Sequence, residues 1–280
     1  MISSASNPKL RYVRSLSRAA ARAREGRFVV EGMRLVDDAL DAGIRPAFAM
    51  TSTTWGTTER AAALRARLEE HHVPVFDVSP AAFAELADTE TPQGVLAVVR
   101  SPDLPLPAQP DLLLVIDGMR DPGNLGTLLR TAAAAAVDGV LLVPGTVDPT
   151  NPKVVRAAMG AHFRVPILER DWAAVAAVAG DGASGGLGVW LADTTGAHDY
   201  AQVDWRGPSA LVVAGEAHGP SDAARKLAGG TVRIPMPGTV ESLNAATAAA
   251  VILFEAIRQR RGDAGARYEN RSSAQGSPCM

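Results

Sequence analysis

Two periodicities of apolar residues alternate along the chain, and their order outlines an α/β protein. A basic stretch from Pro8 to Glu25 reads as helical and runs into the strand-like Phe28-Val29-Val30. Leu35 to Ala42, Glu59 to His71 and Pro80 to Ala87 have helical spacing, while Ala47 to Met50, Val73 to Val78 and Val95 to Val99 read as short strands. They predict a small α/β domain over residues 1–100. Ser101 to Pro110 then carries four prolines, which lack a backbone donor and disfavour helix and central strand, so 101–110 reads as a linker.

Beyond the linker the apolar runs are continuous: Leu112 to Ile116, Val140 to Val143, Leu187 to Ala192, Ala210 to Val213 and Val232 to Ile234. Such runs indicate strands buried on both faces. Helical segments at Leu125–Val137, Pro152–Met159, Trp172–Ala179, Ser221–Ala228 and Ser242–Arg260 separate them, so 111–262 is expected to form a parallel sheet covered on both sides. In the last helix Leu243, Ala246, Ala250, Phe254 and Ile257 form the stripe predicted to be buried, and Gly262 is placed to end it. Residues 263–280 are polar and aperiodic, the pattern of a disordered tail.

Charge changes this picture locally. The 280 residues hold 28 basic and 30 acidic side chains, a net charge of -2, yet residues 1–34 contain eight basic against two acidic groups, a net +6. Nearly all of the basic charge is arginine, whose planar fork suits bidentate phosphate contact, and Arg11, Arg14 and Arg18 are candidate phosphate contacts. Cys279 is the single cysteine, which excludes an intrachain disulfide and a cysteine-based metal site, and no metal is expected. The first residues lack the apolar core of a secretory leader, and no apolar run reaches the roughly 20 residues of a membrane span. A cytoplasmic protein without membrane contact is the expectation.

In open parallel sheets ligands bind beyond the carboxyl ends of the strands, which singles out three loops. Asp117 to Thr131 is glycine-rich, enters a helix, and places Asn124 and Arg130 six residues apart; it holds neither Gly-x-Gly-x-x-Gly nor Gly-x-x-x-x-Gly-Lys. Val213 to Ser221 sets Glu216 at a strand end, where it is either a functional acid or a cap of the following helix. Ile234 to Asn244 joins the last strand to the last helix through Pro235, Met236, Ser242 and Leu243, with a cap near Ser242 or Glu241 as the plain structural alternative.

Taken in order, Asn124-x-Gly126-x-x-x-Arg130, the Gly215-Glu216 loop, and Ile234-Pro235-Met236 with Ser242-Leu243-Asn244 resemble the three motifs of the SpoU/TrmH family of RNA ribose methyltransferases. The resemblance extends through Asn151 to Ala161, and Phe28 to Gly32 and Thr91 to Val95 look like the ends of that family's amino-terminal domain. It implies a carboxy-terminal SPOUT domain with a parallel sheet and a deep trefoil knot, and a small ribosomal-protein-like RNA-binding domain before it. It also implies a homodimer, S-adenosylmethionine as methyl donor, and a ribose 2′-hydroxyl of structured RNA as acceptor, ribosomal RNA being favoured over transfer RNA.

By motif position Arg130, Asn124, Glu216, Ser242 and Asn244 are the expected catalytic set, and Ala214, Gly215, Ile234, Met236 and Leu243 the expected cofactor contacts. The second loop departs from the family's Gly-x-Glu-Gly-x-Gly, having Ala214, Glu216, Ala217 and Gly219 at those places. That departure motivates the alternative of a noncatalytic RNA-binding or ribosome-assembly protein on the same fold. A nicotinamide or flavin oxidoreductase would need the glycine fingerprint that is missing.

Overall fold

The computed structural model describes residues 1–263 except 5, 57, 88–91, 181–185 and 217–218. The described chain falls into two compact units. The first comprises Met1–Leu104, Leu125–Arg130 and Val147–Val165, the second Pro105–Asn124, Thr131–Thr146 and Pro166 onward. The stretch 101–110 contains neither helix nor strand.

In the first unit the strands β1 (Arg27–Glu31), β2 (Phe48–Ser52), β3 (Val75–Val78) and β4 (Val95–Arg100) form a sheet in the order β1-β4-β2-β3. β4 runs antiparallel to β1 and β2, while β2 and β3 pair parallel. Successive side chains of β4 point to opposite faces. Val95, Ala97 and Val99 therefore join Phe28, Val30, Val36 of α3 (Met33–Asp41) and Leu64 of α4 (Glu59–Glu70) in one core, while Leu96 and Val98 join Leu10, Leu16 and Phe83 in another.

Val155 of α7 (Pro152–Ala158) and Phe163 lie in the first of these cores, which is why Val147–Val165 belongs to this unit. The basic stretch expected as one helix is two, α1 (Pro8–Ser15) and α2 (Ala19–Glu25), with Arg18 extended between them. Serine hydroxyls compete for the helix carbonyls at the break, Ser15 donating to Tyr12 O and Ser17 to Arg14 O. The buried Arg22 guanidinium then donates to the Leu16 and Ser17 carbonyls, at 2.9 and 2.7 Å. The helix expected over Pro80 to Ala87 is shorter, α5 (Pro80–Ala84).

The second unit is built on seven strands: β5 (Leu112–Asp117), β6 (Gly139–Leu142), β7 (Ile167–Glu169), β8 (Gly188–Ala192), β9 (His198–Asp199), β10 (Ser209–Ala214) and β11 (Gly230–Arg233). Their order is β7-β6-β5-β10-β8-β11-β9, and every pairing is parallel. The edge strands β7 and β9 are not among the expected strands, because three and two residues leave no periodic signal. Val175 and Ala179 of α8 (Trp172–Ala179) and Ala224 of α9 (Asp222–Leu227) pack with Val115, Val189 and Val212 in one core.

The last helix, α10 (Ala245–Asp263), starts later than expected and continues through Gly262. Its buried face carries Ala246, Ala249, Ile252, Leu253, Ala256 and Ile257. Of the predicted stripe Ala246 and Ile257 are buried and Ala250 is partly buried, whereas Leu243, which precedes the helix, and Phe254 are 36% and 48% exposed. The tail expected to be disordered lies, from residue 264 on, outside the described residues. No helix among the described residues is long and apolar enough to cross a membrane.

Candidate active site

Parallel pairing brings the carboxyl ends of neighbouring strands to one edge. Ala214 at the end of β10 pairs with Asp117 at the end of β5, and Val232 of β11 pairs with Ala192 at the end of β8. The loops that follow β8, β10 and β11, together with the start of α10, line a pocket of about 420 Å³. Ala214, Gly215, Ile234, Met236 and Leu243, the residues assigned to cofactor contact from the sequence, all line it, as do Glu216 and Ser242.

Backbone packing holds the second loop against the first. The Gly215 N–H donates to Asp117 O at 2.9 Å, and a Cβ at position 215 would come within 2.7 Å of Gly118 O. A side chain there would push two loops apart, which accounts for glycine. The buried Asp117 carboxylate accepts from the Ser221 N–H at 2.7 Å and ties down the far end of the same loop. Ala214 lies within β10 and is not among the residues with positive φ, so alanine there introduces no backbone strain; Gly219 does adopt positive φ, at 63°. Ala217 and His218 lie outside the described residues.

Three of the five expected catalytic residues form one hydrogen-bonded cluster. Glu216 Oε1 accepts from Asn244 Nδ2 at 3.0 Å, from the Ala245 N–H at 3.1 Å and from Asn124 Nδ2 at 3.4 Å. Asn244 Nδ2 also donates to Asn124 Oδ1 at 2.9 Å, and the Asn124 N–H donates to Asp121 Oδ1 at 2.7 Å. Asn244 Oδ1 accepts from the Ala246 and Thr247 N–H groups and so caps α10, in place of the expected Ser242 or Glu241. Glu216 is thus a capping carboxylate, but for the last helix and not the one that follows it. A negative charge at a helix amino terminus is electrostatically favourable.

Arg130 sits six residues beyond Asn124 on α6 (Pro122–Ala134), is exposed, and its side chain has no hydrogen bond or ion pair with any described residue. Ser242 is exposed and likewise without a hydrogen bond to a described residue. Asp193, Thr194 and Arg225, which also line the pocket, are absent from the residues expected from the sequence. Arg225 Nη1 meets Asp193 Oδ2 at 3.1 Å. Hydrogen bonds from the Thr195 amide and hydroxyl and from Arg225 hold Asp193 below the usual carboxylate range against partial burial. Its place directly after β8 is the signal that could have found it.

In the first unit Arg11, Arg14 and Arg18 line a second groove of about 590 Å³ together with Arg156, Glu31 and Glu85. Arg11 and Arg18 are exposed, whereas Arg14 is half-buried and pairs with Glu85 at 3.2 Å. Among the described residues there is no cluster of three or more His, Cys, Asp or Glu side chains arranged to hold a metal ion.

The SpoU rRNA methylase family model matches residues 111–254, just over half of the chain. The chain belongs to this family. An MRM3-like substrate binding domain matches residues 7–97. The SpoU relatives include rRNA methyltransferase 3, mitochondrial, of Mus musculus, 34% identical over 86% of this chain and 69% of that protein. The 23S rRNA (guanosine(2553)-2′-O)-methyltransferase RlmP of Bacillus subtilis is 32% identical over 90% of this chain and 97% of its own length. The AdoMet-bound rRNA methyltransferase from Sinorhizobium meliloti has a TM-score of 0.80 and 30% identity, covering 92% of this chain and 97% of that one.

Proposed function

We propose that this SpoU family member transfers a methyl group from S-adenosylmethionine to a ribose 2′-hydroxyl of ribosomal RNA. The observation that carries the reading is the Asn124–Glu216–Asn244 cluster beside a pocket lined by the ends of parallel strands. The pocket fits the methyl donor: about 420 Å³ falls within the roughly 300–1,000 Å³ usual for small-molecule sites. Backbone near Ala214, Gly215, Ile234, Met236 and Leu243 would hold it, and glycine at 215 lets that wall pack directly on the Gly118 backbone. When bound, the donor supplies an electrophilic methyl group on a sulfonium.

The chain's own residues position the acceptor and stabilise charge. A guanidinium offers only donors and no acceptor, so the role of Arg130 is electrostatic: it grips a phosphate and stabilises negative charge developing on the 2′-oxygen. Glu216 and the two asparagines hold the loops in register, and Ser242 completes the pocket. Arg11, Arg14 and Arg18 track RNA phosphates in the same reading. Homodimerisation and the trefoil knot belong to it too; the exposed Val240, Leu243 and Phe254 supply apolar surface that supports a second copy. A cytoplasmic site of action completes it.

Calorimetric titration with S-adenosylmethionine tests the donor, and mapping 2′-O-methyl groups on ribosomal RNA incubated with the protein tests the acceptor. Saturable binding and a new 2′-O-methyl group are expected; no binding to the folded protein overturns the enzyme reading.

A further inference from the structure

A separate pocket of about 370 Å³ in the first unit lies between the end of β2, the starts of α4 and α5, and the segment before β4. Met33, Pro80, Phe83 and Pro92 give it apolar walls, and no charged residue lines it among the described residues. Trp55 also lines it, and the buried Trp55 Nε1–H has no hydrogen-bond partner among the described residues. A buried donor without an acceptor is uncommon in folded proteins and marks a place where a ligand atom can complete the structure.

Two glycines hold the polar groups of this pocket. A Cβ at Gly94, where φ is 80°, would stand 3.0 Å from Trp55 Cβ, so glycine lets the indole lie against the backbone. A Cβ at Gly32, where φ is 97°, would stand 2.9 Å from Gln93 Oε1. That oxygen accepts from the Met33 N–H at 3.1 Å, which leaves the Gln93 NH₂ group available as a second donor. The pocket is continuous along the chain with the arginine groove: Phe83 and Ala84 line the pocket and Glu85 and Leu86 the groove.

We propose that this pocket receives one unstacked nucleobase of the RNA whose phosphates follow Arg11 and Arg18. An uncharged, flat group with carbonyl or ring-nitrogen acceptors matches apolar walls and two N–H donors, while the neighbouring arginines match the charged backbone to which such a group is attached. The inference rests on the RNA-binding part of the proposed function and is independent of the methyl donor.

Nuclear magnetic resonance of the full chain follows the Trp55 indole N–H, assigned through its proximity to Gly94, during titration with uridine, cytidine, adenosine, guanosine and, as a baseless control, ribose 5-phosphate. At least one nucleoside, or a single-stranded octanucleotide of one base, is expected to shift the resonance while ribose 5-phosphate does not. Octanucleotides of the responding base are expected to bind Trp55→Phe about three- to tenfold more weakly than the parent, the usual worth of one hydrogen bond. The salt slope is expected to be unchanged, because every phosphate contact remains. A response to the octanucleotide and not to the free nucleoside supports the proposal with RNA as the source of the base. No shift with any nucleoside or octanucleotide, an equal shift with ribose 5-phosphate, or unchanged affinity in Trp55→Phe overturns the proposal. Absence of S-adenosylmethionine binding alongside a nucleoside shift overturns the enzyme reading and leaves the base pocket standing.

Discussion

The arginine groove of the first unit and the carboxylate cluster of the second use polar groups in opposite ways. In the groove, the Arg11 and Arg18 side chains are exposed and without partners among the described residues, so their charges act over a surface and one can partly stand in for another. In the cluster, Glu216 alone accepts from Asn124, Asn244 and the Ala245 N–H, so each bond depends on one oxygen. Binding by summed charge degrades gradually; a shared acceptor fails at once.

Glu216→Ala is therefore expected to have the largest effect. It removes the acceptor shared by three N–H groups that holds the loops in register, and single-turnover methylation is expected to fall about a hundredfold, the scale of misplacing reacting groups by about 1 Å. Amide hydrogen exchange at the start of α10 is expected to quicken. An unchanged rate would remove the contrast between the two regions.

Arg130→Lys comes next. The charge remains but the planar fork is gone, so the single-turnover rate with bound RNA is expected to drop roughly tenfold or more while S-adenosylmethionine affinity stays the same. A near-normal rate would place Arg130 with the interchangeable charges of the groove.

Replacing Arg11 and Arg18 by alanine, singly and together, is expected to weaken RNA binding in steps. The slope of log affinity against log salt is expected to fall by about 0.7–0.9 for each phosphate no longer neutralised. Complete loss of binding from one substitution would show that the groove also works through fixed geometry.

The smallest effect concerns a buried group of the first unit. His162 is buried, its Nε2–H donates to Pro149 O at 2.7 Å, and burial holds its pKa below the ordinary 6.5. The folded state thus favours neutral imidazole. The stability this contributes is fully present above the unfolded-state value and is lost as pH falls through the lowered folded value. Denaturant titrations from about pH 7.5 to 5 are expected to show a decline in the parent that His162→Gln reduces; identical profiles would count against it.

Several features were legible locally. The strands with continuous apolar runs, β5, β6 and β10, stand out because burial on both faces leaves little room for polar positions. The break between α1 and α2 did not, since Ser15, Ser17 and Arg22 decide it through side-chain bonds to backbone carbonyls. The cofactor-contact candidates came from motif order, whereas Asp193 is marked only by its place after an apolar run and Arg225 by no distinctive local pattern. Phe254 has helical spacing with Ala250 and Ile257, yet spacing alone does not say which side of a helix meets the sheet.

By itself the sequence determined the alternation of helices and strands, the parallel class of the second sheet, and the three loops that hold the polar residues. Tertiary structure decided that β10 lies between β5 and β8, that Glu216 meets Asn124 across 92 positions of chain, and that a pocket forms where the strand-end loops meet. Periodicity records how each segment divides its faces between core and solvent. Which segments become neighbours depends on long-range packing, and no local pattern encodes that.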